Sequence, residues 1–194
     1  VNSGWSRFLS KNTLFINQGV NGAGIPAFKD EAKQYGVADT GYSQNAAFFD
    51  YDKDGDLDLY VLTNLEGDKI PSNYRPRIVD GSALNNDRLY RNDDNGTFTD
   101  VTLQAGILME GYGLGLGIAD INEDGWPDIY IGNDYVSNDV LYINNRDGTF
   151  TNEIKDRLKH QSLFSMGIDI ADVNNDTFLD IISLDMLPEN NLRR

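Results

Sequence analysis

The stretch FFDYDKDGDLDLYVL, from Phe48 to Leu62, decides the fold. Asp50, Asp52, Asp54, Asp56 and Asp58 alternate with other residues, and short apolar runs stand on either side. The same grammar returns as IADINEDGWPDIYIG from Ile118 and as IADVNNDTFLDIISL from Ile170. Runs rich in Ile, Val, Leu, Tyr and Phe around a polar turn predict two strands joined by an acidic loop. After the first loop, Leu57, Leu59 and Val61 alternate with Tyr60 and Leu62; after the second, Pro127, Ile129 and Ile131 alternate with Tyr130 and Gly132. Both faces are mostly apolar, so these strands are expected to be covered on both sides, as in sheets stacked face to face.

Working outward, each acidic string has a fixed prelude. NTLFIN, DRLYRN and DVLYIN begin at Asn12, Asp87 and Asp139. PAFKDE, GTFTDV and GTFTNE follow from Pro26, Gly96 and Gly148, and an acidic string comes next each time. A constant order repeated three times is duplication. The recurring Phe98 and Phe150 read as core anchors, and residues 152–159 read as a short helical turn with Ile154 and Leu158 on one side. The first interval is longer because of an insertion from Asn64 to Asn86, rich in Asn, Asp, Gly and Pro. It reads as a solvated surface loop carrying Tyr74, Arg75 and Arg77.

The acidic loops have the chemistry of hard-cation sites. Calcium takes six to eight oxygen ligands, and a tight loop can aim alternate side chains at one centre. The first loop offers Asp50, Asp52, Asp54, the carbonyl of Asp56, and Asp58. The second offers Asp120, Asn122, Asp124, the Trp126 carbonyl and Asp128; the third offers Asp172, Asn174, Asp176, the Phe178 carbonyl and Asp180. Carboxylates this close repel one another unless a cation neutralises them. Gly55 and Gly125 suit a sharp turn with positive φ, whereas Thr177 stands at that place in the third loop. The third site is therefore expected to be the weakest and the first, with the most carboxylates, the tightest. An EF-hand is excluded, because Val61, Ile131 and Ser183 stand where its bidentate Glu belongs and the flanks are strands. Up to three Ca²⁺ ions are expected, with Mg²⁺ less suited because it demands strict octahedral geometry.

Composition limits the remaining possibilities. Over 194 residues the net charge is −15, which repels phosphate backbones and argues against nucleic acid. No apolar run is long enough to cross a bilayer as a helix, so membrane insertion is not expected. There is no Cys, so disulfides, zinc–thiolate sites and thiol nucleophiles are excluded. The single His160 reads as a surface or capping residue. Alternate glycines from Gly111 to Gly117 run straight into a strand and not into a helix, so they read as room for close strand packing, not as a nucleotide loop. Tyr42, Tyr74, Tyr112 and Tyr135 read as exposed rings available to sugar or protein.

LYINNRDGTFT and IADINEDGWPDIYIGND resemble the FG-GAP/VCBS repeats of the integrin α-subunit propeller and of large bacterial surface proteins. The resemblance spans about Thr13 to Leu187 and implies an all-β fold, a partial β-propeller of stacked four-stranded antiparallel blades with calcium loops. It divides the chain into an outer half-blade (1–40), a blade with the inserted loop 64–86 (41–111), a second blade (112–160) and an inner half-blade (161–194). A seven- or eight-bladed parent is expected, with this chain a fragment of it. The functional expectation is a non-enzymatic calcium-binding recognition or adhesion scaffold, located outside the cell, on its surface or in the periplasm. Its ligand would be a protein or glycan, and its open blade edges could associate with another chain. The alternative is the propeller portion of a secreted or surface carbohydrate-active enzyme of lyase or hydrolase type.

Overall fold

The computed structural model describes residues 11–64, 76–134 and 137–186. Their strands form four antiparallel sheets in a row. The first pairs β1 (Phe15–Val20) with β2 (Pro26–Asp30), and the helical turn α1 (Ala32–Tyr35) follows. Next, β3 (Ser43–Phe49), β4 (Asp58–Thr63), β5 (Arg88–Asn92) and β6 (Phe98–Asp100) make a four-stranded meander. A second meander holds β7 (Gly113–Ala119), β8 (Asp128–Asn133), β9 (Val140–Asn144) and β10 (Phe150–Asn152), with α2 (Ile154–Arg157) after it. Finally β11 (Ser165–Ala171) pairs with β12 (Asp180–Asp185). The stack is a partial β-propeller.

The two meanders share one register. Leu59 faces Tyr90 and Tyr60 faces Leu89; in the second copy Ile129 faces Tyr142 and Tyr130 faces Leu141. Every residue of β4 and β8 is buried. Their period-two alternation splits the core into layers. Leu59 and Val61 pack with Tyr90 against α1 and its flanks at Ala32, Tyr35 and Val37, while Tyr60 and Leu62 pack with Ile129, Ile131, Tyr142 and Phe150 between the meanders. Tyr130, Leu141 and Ile143 pack against Ile168, Ile170 and Ile181 of the last sheet. Leu57 departs from the expected alternation: it lies in the loop before β4 and is exposed.

Glycines set the distance to the last sheet. A Cβ on Gly115 would lie 2.6 Å from Ile168 Cγ1 and 2.8 Å from its backbone nitrogen, and one on Gly117 would lie 2.7 Å from Ile170 Cδ1. Gly115 and Gly117 are therefore packing space for β11, and Gly113, whose Cβ would collide with Leu62 Cδ1, is packing space for β4.

A buried acid–phenol pair recurs at the far end of each meander. Tyr60 Oη donates to Asp87 Oδ2 at 2.8 Å, and the Thr63 backbone N–H donates to Asp87 Oδ1 at 2.8 Å. Tyr130 and Asn133 repeat both bonds to Asp139 at the same distances. The turn after the short outer strand is also repeated, since Asp30, Asp100 and Asn152 each accept the backbone N–H two residues on. α2 lies inside the helical turn expected for 152–159, whereas α1 carries no comparable periodic signal.

The insertion is more integrated than a solvated loop. Tyr74 and Arg75 lie outside the described residues. Arg77 turns inward, donating from Nε to the Glu110 carbonyl and from Nη1 to the Asn138 carbonyl at 3.2 Å. Asn85, Asn86 and Asp87 are buried, and Asn86 Nδ2 reaches the Ile107 carbonyl at 2.7 Å. The cause is tertiary: backbone groups of 107–112 need partners, and this segment supplies them.

Candidate metal-binding loops

Each acidic string closes a hairpin between the first two strands of its sheet. Two residues per loop adopt left-handed backbone: Lys53 and Gly55, Glu123 and Gly125, Asn175 and Thr177. Thr177 has φ 78°, so the strain expected from a β-branched residue is present. Lys53, Glu123 and Asn175 at φ 58°, 58° and 62° were not legible, since nothing in those residue types demands that conformation.

The turn aims carboxylates inward through a constant hydrogen-bond scheme. The first Asp accepts the N–H at the sixth position: Gly55 to Asp50 at 3.2 Å, Gly125 to Asp120 at 2.7 Å, Thr177 to Asp172 at 2.9 Å. The fifth-position Asp accepts the N–H of the seventh: Asp56 to Asp54 at 3.2 Å, Trp126 to Asp124 at 2.9 Å, Phe178 to Asp176 at 2.9 Å. The last Asp accepts the N–H of the second residue: Tyr51 to Asp58 at 3.0 Å, Ile121 to Asp128 at 3.0 Å, Val173 to Asp180 at 3.2 Å. In the meanders its other oxygen accepts from the neighbouring turn, Asn92 N–H to Asp58 and Asn144 N–H to Asp128, both at 2.9 Å. Asn122 and Asn174 accept the N–H of Asp124 and Asp176 at 3.0 and 2.8 Å.

The first loop fits a cation most directly. Asp50, Asp52 and Asp58 each offer an oxygen within 4.8 Å of the others. Asp50 Oδ1, Asp52 Oδ1 and Asp56 Oδ1 are buried without a hydrogen-bond partner. A buried anionic oxygen without a partner is costly, and a divalent ion satisfies several at once. Asp56, singled out for its carbonyl, also has a side-chain oxygen without a hydrogen-bond partner, but it is not among the three residues whose oxygens converge. Asp54 is exposed at the tip. Burial and the charge of Asp54 raise the Asp52 pKa, and burial pushes Asp58 up to about 6 against the N–H groups of Asn92 and Tyr51. A cation held there would lower both pKa values by favouring the ionised carboxylates.

The second loop differs. Burial is the largest influence on Asp124 and raises its pKa, but the Trp126 N–H, Arg146 and Asn122 together hold it below the usual carboxylate value. Arg146 Nε and Nη2 lie 3.0 and 2.9 Å from Asp124 Oδ2. Burial also raises the Asp128 pKa. The Trp126 ring carries Lys53 Nζ 5.3 Å from its centroid, a contact between the first two loops. Asn144 Nδ2 adds a second tie, donating to the Tyr51 carbonyl at 2.8 Å. The third loop is the most open, with Asn174, Asp176 and Phe178 exposed and Asp172 and Asp180 half-buried. Tyr42 and Tyr112 are half-buried, and Tyr112 Oη donates to Glu110 Oε1 at 3.2 Å, so neither ring stands fully exposed; Tyr135 lies outside the described residues. His160 is exposed.

The model of the FG-GAP-like repeat matches residues 78–131 and again residues 120–183. No curated protein matches the chain. The two matches contain the second and third acidic loops and together span more than half of the sequence, so the chain belongs to the FG-GAP-like repeat family.

Proposed function

We propose that the chain is a calcium-stapled recognition scaffold without catalytic activity of its own, working outside the cell, at its surface or in the periplasm. The observation that carries the reading is the trio of buried, unpartnered carboxylate oxygens on Asp50, Asp52 and Asp56 beside Asp58. FG-GAP repeats occur in extracellular and surface proteins, and no helix among the described residues is long and apolar enough to cross a membrane. Ca²⁺ would be held by Asp50, Asp52, Asp54, Asp56 and Asp58; by Asp120, Asn122, Asp124, Trp126 and Asp128; and by Asp172, Asn174, Asp176, Phe178 and Asp180. Its role is structural: it cancels repulsion within each loop and fixes the hairpin between adjoining strands.

Recognition falls to two kinds of surface. A cleft lined by Lys11, Lys33, Arg88, Tyr90, Asp39 and Asp100 gathers cations in an acidic chain and suits a polar glycan or an acidic protein segment. The outward edges of β1 and β12 carry no strand among the described residues, and Phe15, Ile182 and Leu184 are exposed there, which suits association with a further chain. Calcium titration of EDTA-stripped protein, followed by heat and by melting temperature together, tests the scaffold reading. Binding at roughly 10⁻⁴–10⁻³ M with a rise in melting temperature is the expected result. Silence up to several times that range removes the calcium role.

A further inference from the structure

The turns β5–β6 and β9–β10 sit on their acidic loops in the same way. Asn92 and Asn144 each give a backbone N–H to the last loop carboxylate at 2.9 Å, and their side chains reach the Leu57 and Pro127 carbonyls, both at 3.3 Å. Two residues later, Asp94 and Arg146 occupy one shared left-handed position, at φ 51° and 65°. The repeat thus puts a negative residue at this turn position beside the first loop and a positive one beside the second.

Arg146 uses the position. Its Nε and Nη2 both address Asp124 Oδ2, the oxygen that also receives Asn122 Nδ2 at 3.0 Å. Asp124 Oδ1 takes the Trp126 N–H. The fifth-position carboxylate of the second loop is therefore fully engaged by donors, with a cation among them. Asp94 places the opposite charge at the equivalent left-handed turn position beside the first loop.

We propose that this turn residue sets the calcium affinity of the loop beneath it, Arg146 acting as a tethered competitor for Asp124 and Asp94 as an added attractive charge. The inference rests on the calcium reading of the loops and predicts that the second loop binds more weakly than the first by more than their own carboxylate counts imply. Arg146 is more than half exposed, so the ion pair itself is cheap to break. The larger effect is repulsion between guanidinium and Ca²⁺, worth about tenfold in affinity at this range and screened by salt. A second consequence concerns the calcium-free state: the guanidinium already engages a carboxylate of the second loop, whereas Asp50, Asp52 and Asp56 of the first keep oxygens without a hydrogen-bond partner.

The test is calorimetric calcium titration of the full chain in two paired backgrounds. With Asp52→Ala silencing the first loop, adding R146Q is expected to tighten the second loop about tenfold at low salt and less at high salt. With Asp124→Ala silencing the second loop, adding D94R is expected to weaken the first by a similar factor. Circular dichroism checks folding, and the two arms are independent, so a misfolded variant in one leaves the other decisive. Unchanged affinities in a protein that does bind calcium overturn the role of the turn residue alone. Absence of calcium heat in the unsubstituted chain overturns the loop reading, and this inference with it.

Discussion

Thr177 holds φ 78° through a 2.9 Å hydrogen bond from its N–H to Asp172, at the place where the other loops have glycine. Thr177→Gly is expected to stabilise the third loop by about 1 kcal/mol, minus the extra chain entropy that glycine brings to the unfolded state. Its check is a calcium titration in which the weakest site tightens while the others stay put. Asp87 gives a pH prediction. Burial raises its pKa to about 6, against the bonds from Thr63 and Tyr60, whereas the unfolded value is about 3.9. The folded state then holds the proton more tightly, so this contribution is complete below about pH 4 and is lost as pH rises through about 6. Thermal melts of calcium-free protein should therefore show D87N gaining on the unsubstituted chain between pH 4 and pH 7. A constant difference across that range would mean that Asp87 is ionised throughout.

At the scale of elements, the hairpins were legible because repetition exposed them: three acidic strings with apolar flanks and a period of two leave little choice about where strands run. The faces of β4 and β8 followed directly, since Leu59 and Val61 must point away from Tyr60 and Leu62. β12 shows the limit of that reading. Ile181, Ile182 and Leu184 have the same character as their counterparts in β4 and β8, yet Ile182 and Leu184 are exposed because no further sheet stacks on that face among the described residues. The inward turn of Arg77 and the reach of Arg146 to Asp124 were hidden for a related reason: each joins segments far apart in sequence. Within the loops, the carboxylates were found by spacing alone, while the buried oxygens of Asp50, Asp52 and Asp56 required coordinates. Two substitutions test the layered core. Leu62→Ala, at a fully buried position between the meanders, is expected to cost about 2–5 kcal/mol in chemical denaturation. Gly115→Ala is expected to cost about 1–3 kcal/mol by forcing β11 away, because the obstructing atoms include the Ile168 backbone nitrogen. A neutral result would show that the last sheet can shift without loss.

Over the whole molecule, the first sheet holds the counterparts of the last two strands of a meander and the last sheet holds the counterparts of the first two. If the register of the meanders is kept, Ile181 would face Phe15 and Ile182 would face Leu14 when the edge of β12 meets the edge of β1 in another copy. Sedimentation velocity should then show mass rising with concentration, and Ile182→Lys should suppress it. A sedimentation coefficient independent of concentration would mean that these edges do not meet. The glycine-lined face of β7 carries a lesson about ancestry. The sheets arose by copying, but Gly115 and Gly117 now accept Ile168 and Ile170 of β11, and the corresponding positions of β3 hold Asn45 and Ala47. Neighbours have become fitted to one another in a fixed sequence. Genetic shuffling that transposed the two meanders would set side chains where only hydrogen now fits, so this lineage, once built from interchangeable parts, has lost the freedom to reorder them.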